Sequence, residues 1–211
     1  MQLLESVVKR KQTYKRGEML FQSGEPTDYV YALRSGSVKT YVLTEDGREQ
    51  VTGFHIAGEL LGLSALGCGE YTTHARALET TSVCKVELER LDEIGQQIPG
   101  LQHEMMKIMG GQIRHDEELM LLLGKRSAEE RLAKYLLSLS ERFARRNYSA
   151  TEFRLSMSRQ DIGNYLGVAE ETVCRLFARF QDDNLVVFDR REVRLLNLDA
   201  LRAVAHVPPR K

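Results

Sequence analysis

The stretch S-M-S-R-Q-D-I-G-N-Y-L-G-V-A-E-E-T-V-C-R-L-F-A-R-F, residues 156–180, spells out two short helices and the corner between them. Ser158 and Asp161 have the spacing of a helix-capping pair. Ile162 and Leu166 fall on one face, and Gly163 is small enough for another helix to cross closely. Gly167 suits the left-handed turn that ends a helix. Val168 is placed to plug the corner, and a second helix opens at Ala169 or Glu170. On that helix Val173, Leu176, Phe177 and Phe180 form a rear apolar row. Glu171, Thr172, Cys174 and Arg175 are left on the front of its first two turns. Helix, tight glycine turn, helix is the helix-turn-helix plan.

In that plan the front of the second helix enters a DNA major groove. Arg175 can donate two hydrogen bonds to guanine O6 and N7, and Glu171 can accept from a cytosine amino group. They are four residues apart, hence on one face, with Thr172 and Cys174 beside them. Ser158, Arg159 and Arg179 are candidates for phosphate contacts, which position a protein without reading sequence. The competing reading is an ordinary helical hairpin with Glu171 and Arg175 as a surface ion pair. Downstream, L-V-V-F (185–188), D-R-R-E and V-R-L-L (193–196) predict a hairpin. Arg190 and Arg191 at its tip make it either a wing over the DNA backbone or a solvated basic turn.

Residues upstream read differently. From Tyr14 to about Glu89 short runs alternate with glycines: V-Y-A-L (30–33), V-K-T-Y-V-L (38–43), Q-V-T-G-F (50–54) and S-V-C-K-V-E-L (82–88). R-S-G-S (34–37) and T-E-D-G-R (44–48) are turn clusters expected to close hairpins. This spacing predicts a small sandwich or jelly-roll barrel. After Pro99-Gly100 the period becomes helical as far as residue 123. Met106, Met109, Ile113, Asp116, Met120 and Leu123 recur at steps of 3, 4, 3, 4 and 3, a heptad seam for a dimer. Asp116 breaks its apolar rule; facing its own copy in a parallel pair, it would keep the dimer marginal. The alternatives are a helix packed on its own barrel and an Asp116 that leans to solvent. G-K-R-S (124–127) reads as a hinge, and S-A-E-E (127–130) starts a helix striped by Ala128, Leu132, Tyr135, Leu136, Leu139 and Phe143.

The chain's 211 residues carry no net charge, but residues 1–124 hold 13 basic and 18 acidic side chains, hence −5, while 125–211 hold 17 and 12, hence +5. Such a split suggests two bodies, the second facing an anionic polymer. The expected architecture is α+β: a β-roll over residues 1–100, a dimerisation helix over 101–124 and a winged helix-turn-helix over 125–211.

Cys68, Cys84 and Cys174 are far apart and form no C-x-x-C, so neither a zinc site nor a disulfide scaffold is signalled. No apolar run approaches the roughly 20 residues of a membrane span. A cupin-type metalloenzyme would need clustered ligands, whereas His55 and His74 stand alone, so no catalytic residues are expected. A DNA-binding architectural protein would not need so large an N-terminal half.

R-S-G-S-V-K, E-Q-V-T-G-F-H-I-A-G-E-L-L-G, A-L-E-T-T-S-V-C, A-E-E-R-L and R-Q-D-I-G-N-Y-L-G-V-A-E-E-T-V-C-R-L together resemble the cyclic-AMP receptor/FNR superfamily, and within it the FNR type of fumarate and nitrate reduction regulator, over nearly the whole chain. The resemblance implies a cyclic-nucleotide-binding-like β-roll, a long dimer helix and a winged helix-turn-helix in a cytoplasmic protein of the bacterial cytosol. It also implies a homodimer on double-stranded DNA of the form TTGAT-N4-ATCAA, an oxygen or redox response, and promoter activation through RNA polymerase, with Thr44–Arg48 a candidate polymerase contact or else a plain turn. Two departures follow. The family reads bases with E-x-x-S-R, and here the motif is Glu171-x-x-Cys174-Arg175. The family's [4Fe-4S] cluster takes four cysteines, three of them in an N-terminal segment; only Cys84 matches a ligand, so no cluster is expected on the chain as given, and a missing N-terminal piece is the expected reason. The alternative is a relative sensing a haem-bound gas or a small ligand. A cyclic-nucleotide site would need an R-S-A-type segment after G-E-L-L-G (58–62), where Y-T-T-H-A-R-A (71–77) stands instead, leaving Arg76 alone; among His55, His74, His103 and His115 no spacing singles out a haem ligand.

Overall fold

The computed structural model describes residues 8–97 and 99–207. Eight strands build the N-terminal part: β1 (Val8–Tyr14), β2 (Met19–Phe21), β3 (Tyr29–Ser35), β4 (Ser37–Leu43), β5 (Glu49–Ile56), β6 (Leu60–Leu61), β7 (His74–Ala77) and β8 (Thr81–Glu87). Their antiparallel pairing is nested. β4 pairs with β5, β3 with β6, β2 with β7 and β1 with β8. A ribbon paired in this way and then rolled up gives two four-stranded sheets, ordered β1-β8-β3-β6 and β2-β7-β4-β5. Both sheets feed one core, in which Tyr14, Tyr31, Leu33 and Val83 from the first meet Leu20, Phe21, Val38, Ala75 and Ala77 from the second. This is the expected jelly roll.

The turn at Thr44–Arg48 closes the β4–β5 hairpin as expected, with Thr44 N–H donating to Arg48 O at 2.9 Å. The turn at Arg34–Ser37 does not close one. β3 and β4 lie in different sheets, so Gly36 carries the chain around the edge of the roll. Its φ is 81°, and a Cβ there would stand 2.6 Å from Thr80 O. The corner is tight because the ribbon folds over at that point, which the local turn signal does not disclose.

Helix α1 (Leu88–Gln97) precedes the long helix α2 (Pro99–Lys125). The first of these goes unnoticed in the strand-to-helix reading, because Leu88, Leu91 and Ile94 give too short a row to separate from the preceding strand. The chain divides into two compact units, Met1–Asp116 and Glu117–Lys211, with the division inside α2.

The second unit contains the last turns of α2, helix α3 (Ala128–Ala144), strand β9 (Glu152–Arg154), helices α4 (Arg159–Leu166) and α5 (Glu170–Asp182), strands β10 (Val186–Asp189) and β11 (Glu192–Leu195), and helix α6 (Leu198–Val204). Ser127 and Glu130 form the capping box that starts α3. Leu132, Leu136 and Leu139 of α3 are fully buried, as are Ile162, Leu166, Val173, Phe180, Val186 and Leu201 around it. β10 and β11 form the expected hairpin, extended by β9 into a three-stranded sheet ordered β10-β11-β9. Among the described residues no helix is long and apolar enough to cross a membrane.

Candidate nucleic-acid interface

The corner between α4 and α5 is fixed from both sides. Ser158 Oγ accepts from Asp161 N–H at 3.0 Å, and Ser158 N–H donates to the Asp161 carboxylate at 3.1 Å. At the other end Gly167 is left-handed, with φ 64°, and Val168 N–H donates to Gly163 O at 2.9 Å. Gly163 is required by proximity: a Cβ there would lie 2.7 Å from Val168 O and 3.4 Å from Glu170 N. The neighbour it admits is the backbone that opens α5.

α5 then presents two faces. Val173, Leu176, Phe177 and Phe180 are buried, whereas Glu171, Cys174 and Arg175 are exposed and Thr172 is half-buried. Glu170 and Glu171 in the first turn suit the positive end of the helix dipole. No hydrogen bond or ion pair joins the side chains of Glu171 and Arg175 to each other or to any other described residue, as the alternative reading of a surface ion pair would require.

Arg159, Arg179 and Arg191 are more committed. The Arg159 guanidinium lies 3.7 Å from the Phe177 ring centroid and 5.0 Å from that of Phe188, and these two rings meet edge to face at 4.1 Å. Burial lowers its pKa, against the opposing influence of Cys174 and Tyr135. It thus ties the start of α4 to α5 and to the hairpin through cation–π contact, a role invisible from its position in the chain. Arg179 pairs with Glu129 at 3.0 Å and Asp183 at 3.7 Å. Arg190 is exposed at the hairpin tip with φ 56°, and Arg191 reaches back to Ser156 O at 3.4 Å. Ser158 is occupied by its own capping box.

Along α2, Met106 is 69% exposed, Ile113 58% and Met120 71% within a single chain. Met109 is exposed and Leu123 half-buried. Asp116 is also exposed and accepts a hydrogen bond from Gln112 Nε2 at 2.8 Å.

In the roll, Arg76 donates to Glu49 at 2.7 Å and to Tyr41 Oη at 2.6 Å. Burial pushes the Glu49 carboxyl up, but the Lys39 and Arg76 hydrogen bonds and charges outweigh it and hold the pKa below its ordinary value. The family's cluster does not fit these residues. Cys84 is buried in β8 opposite Lys11 and Ala32, Cys68 and Cys174 are exposed, and three thiols cannot make a four-thiolate set. Among the described residues no three His, Cys, Asp or Glu side chains gather as a metal site.

The family model for the cyclic nucleotide-binding domain matches residues 11–97, and that for the Crp-like helix-turn-helix domain matches residues 130–204. The transcriptional activator protein Anr of Pseudomonas protegens is 49% identical over 97% of this chain and 84% of its own length. The chain belongs to the CRP/FNR family. The fumarate and nitrate reduction regulatory protein of Escherichia coli is 45% identical over 96% of this chain and 81% of its own. The structure of FixK2 from Bradyrhizobium japonicum superposes with a TM-score of 0.84 at 31% identity, covering 96% of this chain and 98% of that one. As a CRP/FNR protein of the FNR type, the chain is a DNA-binding transcription regulator and not an enzyme.

Proposed function

We propose that this CRP/FNR protein is a transcriptional activator that binds, as a homodimer in the bacterial cytosol, a palindrome resembling TTGAT-N4-ATCAA. In this reading residues 1–100 serve as the sensor body, 101–124 as the dimer helix and 125–211 as the DNA-binding domain. The observation that carries it is the front of α5, where Glu171 and Arg175 stand exposed with side chains engaged by no other described residue. Arg175 reads a guanine, Glu171 accepts from a cytosine, and Thr172 and Cys174 line the bases between them. The Cys174 thiol bonds more weakly than a hydroxyl but packs well against a thymine methyl. Of the residues expected to meet the phosphate backbone, Arg190 is exposed at the hairpin tip and takes that role directly, whereas Ser158, Arg159, Arg179 and Arg191 reach phosphates only by sharing or exchanging the contacts that hold them in the unbound chain.

The dimer is supported by the row Met106, Met109, Ile113, Asp116, Met120 and Leu123, most of which a single chain leaves open to water. Relatives named as activators support a productive encounter with RNA polymerase, for which the exposed hairpin tip Thr44–Arg48 is the proposed contact. Arg76 is already engaged by Glu49 and Tyr41, which disfavours a cyclic-nucleotide phosphate as the signal. An oxygen or redox response through [4Fe-4S] is a property the resemblance implies; the three cysteines here supply no route for it.

The reading is tested by hydroxyl-radical footprinting and mobility shifts at several salt concentrations. Two protected patches about one helical turn apart are expected, on one face of the duplex. Affinity should fall steeply with salt, yet stay roughly a thousandfold above that for a permuted sequence. Equal affinity for both sequences would exclude the proposal.

A further inference from the structure

One side chain joins the ends of two helices and the link that follows one of them within the second unit. Arg131, in the first turns of α3, donates from Nη1 to Leu166 O at 2.9 Å, from Nη2 to Leu123 O at 2.8 Å and from Nε to Arg126 O at 3.0 Å. Leu166 is the last residue of α4, Leu123 lies in the last turn of α2, and Arg126 is in the link to α3. Carbonyls at helix C-termini have no intrahelical donor and carry the negative end of the helix dipole. Ser127 N–H, which would serve Leu123 O if α2 continued, is turned instead to Glu130 Oε2 at 2.8 Å. A planar guanidinium with donors in a fixed fork serves the two helix-end carbonyls and the link carbonyl at once, and a lysine ammonium cannot reproduce that geometry. The left-handed corner is built around it: a Cβ on Gly167 would lie 3.4 Å from Arg131 Nη1 and 3.6 Å from Leu123 Cδ2.

We propose that Arg131 is a positioning residue that sets the angle of α5 against the last turn of α2. The inference rests on the reading of α5 as the base-reading helix. Leu166 O is the final carbonyl before the corner that aims α5, so fixing it to Leu123 O fixes α5 to the end of the dimer helix. In a twofold assembly along α2, the separation of the two α5 helices, and therefore the half-site spacing the dimer accepts, is held by this contact in each protomer.

The test uses the full chain, with operators carrying three, four or five base pairs between half-sites. The wild-type protein is expected to prefer one spacing. Arg131→Gln should lose roughly tenfold on that operator and narrow its discrimination among the three. Its affinity for random DNA and its salt slope should stay as in the wild type. Arg131→Lys, which keeps the charge but not the fork, should fall between the two. Thermal unfolding is followed for each protein; if Arg131→Gln does not fold, Arg131→Lys carries the test, with a smaller but measurable loss of spacing discrimination expected. Unchanged spacing preference in the folded variants would overturn the proposal, because general loosening of the fold weakens all three operators alike. A salt slope lowered by about one would also overturn it, by making Arg131 a phosphate contact. If the wild-type protein showed no operator preference at all, the base-reading assignment itself would fail, and the proposal with it.

Discussion

Ile113→Glu is expected to leave the protein monomeric and to lower its affinity for the full palindrome by about a hundredfold or more. Ile113 lies at the middle of the row Met106–Leu123 and is more than half exposed in the single chain. Burying such a side chain contributes about 1.5–3 kcal/mol, and a twofold interface does so twice. A carboxylate in its place would be desolvated against apolar neighbours with no partner, which costs several kcal/mol more. The effect on DNA follows from linkage between half-sites: once one α5 is bound, its dimer partner is held at high effective concentration beside the second half-site. Sedimentation velocity should show the monomer, and the full operator should bind no better than a half-site. Asp116→Ala should move the other way and tighten self-association at neutral pH, since it removes a carboxylate from the same row. An Ile113→Glu protein that still sediments as a dimer would place the subunit contact elsewhere.

Gly163→Val is expected to abolish operator binding by a different route. The added Cβ would meet Val168 O at 2.7 Å, and that oxygen belongs to the backbone of the α4–α5 corner rather than to the end of a flexible side chain. The two helices would have to separate, exposing Ile162, Leu166 and Val173, all fully buried. Overpacking of this kind costs on the order of 3 kcal/mol, a large share of a small domain's stability. Hydrogen exchange should report faster opening of α4 and α5, while the core strands β3, β4 and β8 keep wild-type protection. Unchanged exchange in α4 and α5 would show that the corner tolerates the clash.

The corner was legible in the sequence because its determinants are local. The Ser158–Asp161 cap, the left-handed Gly167 and the buried row on α5 each lie within one or two turns of what they control. The roll was legible in kind but not in connection. β1 pairs with β8 and β2 with β7 across more than 50 residues, and no local pattern encodes such partners. For the same reason Arg34–Ser37 reads as a hairpin turn although it joins two sheets. Arginines were the hardest residues to read. Arg159 and Arg175 both look like basic residues free to meet DNA, yet one stacks on Phe177 and Phe188 and the other stands open. Arg131 gave no signal beyond the A-E-E-R-L resemblance, because its partners are three main-chain carbonyls that every sequence has.

The central claim is that Arg175, on the open front of α5, reads a base edge in each half of a palindrome. It is tested most directly by measuring the affinity of the wild-type protein and of Arg175→Ala for a set of operators in which each base pair of the half-site is replaced in turn. The wild-type protein should discriminate at every reading position, while Arg175→Ala should lose roughly 1–3 kcal/mol on the intact operator and become indifferent at a single symmetric G·C pair. A loss spread evenly over every operator, or no loss at all, would contradict the assignment.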